Sequence, residues 1–208
     1  MSARGGEDEL AIRPLPWAAP EQARPGPLTT QTTGRIVLPS ANELGAARVP
    51  AGFPRTPAGA LAQVIAIDRT ALESASVARA QEIIASWAVP GGPTAQTWSG
   101  VAAVATFLSA GGFPASGVPE LTLVAEPSMG LIKGSVGVDF VVPCVDFVLT
   151  ATSAAHTHRV AVADCQRMVW TRDRWMIGRG PEPAPAPSLW PGTSASLAAG
   201  YQWLEVAP

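Results

Sequence analysis

Charge is scarce in this chain. Only 14% of its 208 residues are charged and the formal net charge is −2, which excludes a chain-wide basic surface for nucleic acid. Lysine is almost missing: Lys133 stands alone against thirteen arginines. Cysteine and histidine occur twice each and no CxxC is present, so a zinc site of the usual spacing is not expected. No apolar run reaches the roughly 18 residues of a membrane span. The nearest, Val136 to Leu149, is broken by Asp139, Pro143 and Asp146. The opening MSARGGEDEL has no apolar core and is acidic where a secretory signal is basic. A cytoplasmic location without membrane insertion is therefore expected, with peripheral association at the envelope left open.

Catalytic signatures are missing too. There is no GxxxxGK[ST], GxSxG, HExxH or GxGxxG. No carboxylate among Asp139, Asp146, Asp164 and Asp173 stands at a spacing from a histidine that suggests general-base work. His156 and His158 read as solvated turn residues rather than metal ligands. The expectation is a non-enzymatic chain with no catalytic residue, no metal and no cofactor.

What is abundant is apolar surface and proline. With 47% hydrophobic residues the chain can bury a core. Of its 21 prolines, nine precede residue 60 and six follow residue 180, which divides it into three parts. Residues 1–51 read as an extended Pro-rich arm, with RIVLP (Arg35 to Pro39) as one edge strand and Trp17 either as a docking peg or as a solvent-facing residue. Residues 52–180 carry the periodic patterns of a domain. Residues 181–208 begin as the alternating linker GPEPAPAPS and end in an apolar segment predicted to form a short docking helix.

In the central part, Thr56-Pro57 signals a helix start. Leu61, Val64, Ile65 and Leu72 form its apolar stripe. A second helix follows Ser76, with Ile83, Ile84 and Trp87 on its inner face, and a third runs from Thr94 through Trp98 and Leu108. After Pro119 the period changes from about 3.6 to 2. Helices followed by a meander predict an α+β fold, with the N-terminal helices packed on a curved antiparallel sheet.

The segment from Val141 to Gly180 predicts two consecutive hairpins. A turn at Ala154-Ala155 opposes Phe147 to Val162, Leu149 to Val160 and Cys144 to Cys165. A turn at Arg172-Asp173 opposes Trp170 to Trp175 and Met168 to Ile177. Alternation then puts Val145, Phe147, Leu149, Val160, Val162, Met168, Trp170, Trp175 and Ile177 under the helices. It puts Cys144, Asp146, Arg159, Cys165 and Arg167 on the other face. Asp164 and Gln166 fall on the apolar face. A bulge at Pro143 or a structural polar group is favoured there over a functional pocket. If the site is a pocket, Asp164, Gln166, Trp170 and Trp98 are its candidates. The cysteines are expected to be adjacent, as a disulfide or as two thiols. The arginines 159, 167, 172, 174 and 179 make a local basic surface read as a solvated sheet edge, and nucleic acid is not favoured as a partner.

A helical start and a meander ending in MVWTRDRWMIG resemble the nuclear-transport-factor-2-like cone fold, in which the last hairpin often carries a Trp-turn-Trp pattern. The stretches GFPRTPAGALAQ, SMGLIKGSVGVDFVVPCVDF and WPGTSASLAAGY resemble proteins of actinobacterial integrative conjugative elements and plasmids, distantly similar to inner-membrane scaffold subunits of type IV secretion systems. The resemblance implies an interaction or scaffold module of a transfer apparatus that meets protein partners or a second copy of itself. Trp17, Trp190, Tyr201 and Trp203 would be its anchors. A small-molecule-binding or enzymatic cone, with a pocket between helices and sheet, is the alternative.

Overall fold

The computed structural model describes residues 3–154 and 156–207. In chain order the elements are α1 (Ala3–Ile12), β1 (Arg35–Leu38), β2 (Glu43–Leu44), β3 (Pro50–Ala51), α2 (Pro57–Glu73), α3 (Val77–Trp87) and α4 (Ser99–Ala110). They continue with β4 (Thr122–Val136), β5 (Phe140–Thr152), β6 (Thr157–Cys165), β7 (Met168–Thr171), β8 (Arg174–Ile177), α5 (Ser194–Ala198) and β9 (Gln202–Val206). The fold is α+β, a strongly curled and mostly antiparallel half-barrel with helices in its concavity, like a cone.

The helices start where local chemistry dictates. The Thr56 hydroxyl accepts from the Gly59 amide at 3.0 Å and Pro57 occupies the first turn of α2. Ser76 does the same for α3 through the Arg79 amide. The third helix begins later than its pattern predicts. Thr94 to Thr97 close a turn on their own hydroxyls, and Trp98 becomes the residue before α4.

The main sheet runs β1-β9-β4-β5-β7-β8, with β6 also pairing β5. Both predicted hairpins form in the predicted register. Phe147 opposes Val162, Leu149 opposes Val160 and Cys144 opposes Cys165. Trp170 opposes Trp175 and Met168 opposes Ile177. The Ser153 amide closes the first turn on the His156 carbonyl; Ala155 itself lies outside the described residues. Beside β5, β6 takes the length from Cys144 to Thr152 and β7 the Phe140–Val141 end, so the chain turns a corner at Gln166-Arg167.

The bulge considered near Pro143 falls on the partner strand β4, where Lys133 is the extra residue opposite Pro143 and Val142, and it does not turn Asp164 outward. The β5–β6 ladder is unbroken from Thr152 to Cys144, and Pro143 pairs Ile132. Two irregularities lie in β4, between Pro127 and Met129 and between Ile132 and Gly134. The first switches the facing of the strand. Leu123 and Ala125 join the core under the helices, whereas Met129 and Leu131 join one on the convex face.

That convex core was not anticipated from the pattern. The N-terminal segment, read as extended, is helical over residues 3–12, and Leu10, Ala11 and Leu15 pack with Leu189 and Tyr201 on the convex face. The only lysine caps this arrangement: Lys133 Nζ donates to the Ala11 carbonyl at 2.6 Å, where the end of α1 favours a cation. The C-terminal segment docks through a short helix, as expected, and then adds β9 between β4 and β1. β1 pairs β9 in parallel, the sole parallel ladder among the described strands.

Cys144 and Cys165 are joined by a disulfide in the convex core, under Leu189 and Tyr201. Their separation of 21 residues makes the bridge worth about 3 kcal/mol in the chain-entropy model. The double replacement of Cys144 and Cys165 by serine should lower stability by about that amount. Chemical denaturation of the two proteins measures it, and alkylation of the native chain should label no thiol.

Candidate functional site

Between α2, α4 and the concave face of β5 and β6 lies a cavity of about 220 Å3. Its walls are apolar: Leu72, Phe107, Phe147, Leu149, Val160 and Val162. Into this lining project two carboxyls, Asp68 from α2 and Asp164 from β6. Regular pairing of Asp164 with Val145 fixes its inward direction. Helical spacing fixes that of Asp68, which falls on the stripe of Leu61, Val64, Ile65 and Leu72.

Neither oxygen of Asp68 accepts a hydrogen bond from a donor group among the described residues. Its neighbour is the Asp164 carboxyl, which can serve only if one of the two is protonated. Burial raises the Asp68 pKa well above the ordinary carboxyl value, and the Asp164 charge raises it further. Burial likewise raises Asp164 to about 7, against the lowering effect of the Gln166 amide. Burial and the neighbouring Asp164 charge thus favour the neutral form of Asp68. Gln166 Nε2 donates to Asp164 Oδ2 at 2.6 Å and fixes the acceptor.

Trp98 supplies the other polar group. Its indole Nε1–H is buried with no partner among the described residues, and its ring lines the cavity. Gly100 makes room for it, since a Cβ there would lie 2.5 Å from the indole. The Ser99 amide at the start of α4 donates to Glu182 Oε1 at 2.8 Å, which ties the C-terminal linker to the rim of the site.

Of the four pocket candidates, the structure brings Asp164 and Trp98 to the cavity. Gln166 stands behind Asp164 as its orienting partner. Trp170 is elsewhere, edge-on to Trp175 with ring centroids 5.3 Å apart. Asp68 was missed. Its signal was a carboxylate in the middle of an apolar helical stripe.

The four expected anchors divide. Tyr201 is fully buried and donates its hydroxyl to the Pro187 carbonyl at 3.0 Å. Trp190 lies half-buried beneath the Arg159 guanidinium. Both hold the C-terminal segment to its own domain. Trp203 is 39% exposed against Gly192, and Trp17 is 84% exposed.

A third carboxyl, Asp146, is fully buried on the convex face, next to Cys144 in β5. Burial pushes its pKa up to about 9, partly offset by the Leu189 amide. No helix among the described residues is long and apolar enough to cross a membrane. Among them no three His, Cys, Asp or Glu side chains group as metal ligands.

Fold and site together define a cone-like α+β protein with a carboxyl pair in an apolar cavity. No family model, curated protein or solved structure matches the chain.

The buried carboxyls set a pH dependence. Each keeps its proton in the folded state to a higher pH than in the unfolded chain, where it is lost near 4. Their contribution to stability is therefore largest in acid and falls as pH rises. The fall from Asp164 ends near 7 and that from Asp146 near 9. Asp68→Asn leaves a neutral donor facing Asp164, so it should stabilise the protein by about 2 kcal/mol at pH 8 and by little at pH 4. Thermal or urea unfolding across that range reads both.

Proposed function

We propose that this protein binds a small, mostly apolar molecule in the concave cavity and that the Asp68–Asp164 pair transfers a proton to or from its polar group. The observation that carries this reading is a pair of carboxyls, Asp68 and Asp164, in an apolar cavity that Trp98 also lines, the indole N–H having no partner among the described residues. Two buried carboxyls are costly to a fold that does not use them. A carboxyl titrating near 7 is poised for proton transfer at neutral pH.

The volume limits the ligand to about one substituted ring. An acceptor such as a carbonyl or ether oxygen would meet the Trp98 Nε1–H. A hydroxyl, or an acidic C–H beside a carbonyl, would face Asp164. Asp164 acts as base and Asp68 as acid, with Gln166 as a positioning residue.

The test is a binding series with substituted cyclohexanones and phenols, followed by calorimetry. Trp98→Phe and Asp164→Asn should each weaken the best ligand about tenfold, the cost of one buried hydrogen bond. Ala103→Trp, at the mouth, should abolish binding while leaving the fold intact. If no ring-sized ketone or phenol binds, or if Ala103→Trp binds as well as the parent, the reading fails.

A second reading, an interaction module of a conjugative-element apparatus, is favoured by the exposed indole of Trp17. That residue lies in a shallow groove between residues 14–23 and residues 184–188. Trp17→Ala should abolish capture of the element's transfer proteins by the full chain. Retained capture, or none by the parent, rejects this reading.

A further inference from the structure

On the convex face a second concavity, of about 960 Å3, runs along β7 and β8, with α1 on one side and residues 89–91 on the other. Four arginines line it: Arg167, Arg172, Arg174 and Arg179. Arg167 is unusual in being only 3% exposed. Its guanidinium stacks on Phe140 and lies against Gly180, where a Cβ would come within 2.8 Å of Cζ.

Two carboxylates already occupy one end of the groove. Asp8 approaches Arg167 Nη1 at 2.8 Å and Glu7 approaches Nη2 at 3.8 Å, both from α1. They do not satisfy the guanidinium, because Arg167 Nε has no hydrogen-bond partner among the described residues. Further along, Arg172, Arg174 and Arg179 take part in none of the ion pairs among those residues. The lining thus carries four cations against two anions. Between the arginines the floor is apolar, formed by Val169 and Met176, with Val89 beside them.

We propose that this groove is a docking site for an acidic, amphipathic segment of a partner protein, and that α1 holds one end of it through Glu7 and Asp8. Three observations favour this occupant over a free phosphate. The anions already seated are carboxylates on a helix. The groove is many times larger than a single oxyanion needs. Its floor alternates apolar side chains with arginines, which matches a segment presenting both leucine-like and glutamate-like residues. The site is on the opposite face of the sheet from the carboxyl-bearing cavity and does not depend on it.

The probe is a fluorescein-labelled dodecapeptide of repeated Glu-Glu-Leu, titrated by anisotropy against the full chain at low salt. Saturable binding is expected, weakening at least about tenfold in the double variant Arg172→Ser, Arg179→Ser. Both side chains are exposed and outside every ion pair named above, so loss of fold does not confound the result. Glu7→Gln with Asp8→Asn should tighten binding about threefold or more, by freeing Arg167. Binding should also fall as salt is raised. The proposal is overturned if the peptide does not bind the parent or the Glu7, Asp8 variant. It is equally overturned if the arginine variant binds as well as the parent, or if the matching Gln-Gln-Leu peptide does. Displacement of the peptide by lower concentrations of pyrophosphate or a single-stranded oligonucleotide would also overturn it, since the groove would then be a phosphate site.

Discussion

Everything in this protein is arranged around β5, a strand buried on both faces. From Phe140 to Leu149 every residue is buried. Odd-numbered Val141, Val145, Phe147 and Leu149 pack under the helices, and even-numbered Phe140, Val142 and Cys144 pack under the terminal segments. A strand of that kind cannot stay at the surface of a two-layer fold. It requires a third layer, and the Pro-rich ends supply it. The ends therefore are not appendages: α1 and the stretch through Leu189 and Tyr201 cover apolar surface that would otherwise face water.

This constraint separates what could be read from the sequence from what could not. Pleat alternation and turn chemistry act locally, so the register of both hairpins, the cysteine pairing and the tryptophan pair were all legible. The caps of α2 and α3, Thr56 and Ser76, were legible for the same reason. Burial of the convex face was signalled only by the apolar residues at positions 140, 142, 144 and 148 of β5, and Asp146 obscured even that. Nothing local in MSARGGEDELAI indicates a helix stable by itself, since a short helix in water depends on packing. Leu10 and Ala11 stabilise it only through partners far along the chain, in β4, β5 and the C-terminal segment.

The candidate site was half legible. Asp164 was marked by its parity, and the unbroken ladder turns that anomaly into an inward-pointing carboxyl rather than a bulge. Asp68 sits on α2, where the pattern of its neighbours reads as ordinary core. Its importance arises only when β6 is laid against α2, which brings together two acids 96 positions apart in the chain. Gln166 lies immediately past β6, at the turn into β7, so its role depends on that corner and not on strand alternation.

The same corner serves both faces. Gln166 reaches back to Asp164 on the concave side, while the next residue, Arg167, reaches Glu7 and Asp8 on the convex side. The Arg167 carbonyl accepts from the Gly178 amide at 2.6 Å, which fixes this corner to the end of β8. One backbone segment thus sets the direction of a proton acceptor and of a buried cation. A regular strand would send residues 164 and 166 to one face and 167 to the other without separating β6 from β7. The corner does more: it ends the ladder with β6, starts the ladder with β7, and leaves the space along β7 and β8 that the arginines line. The curl that closes the concave cavity and the groove on the convex face are two consequences of the same turn of the chain.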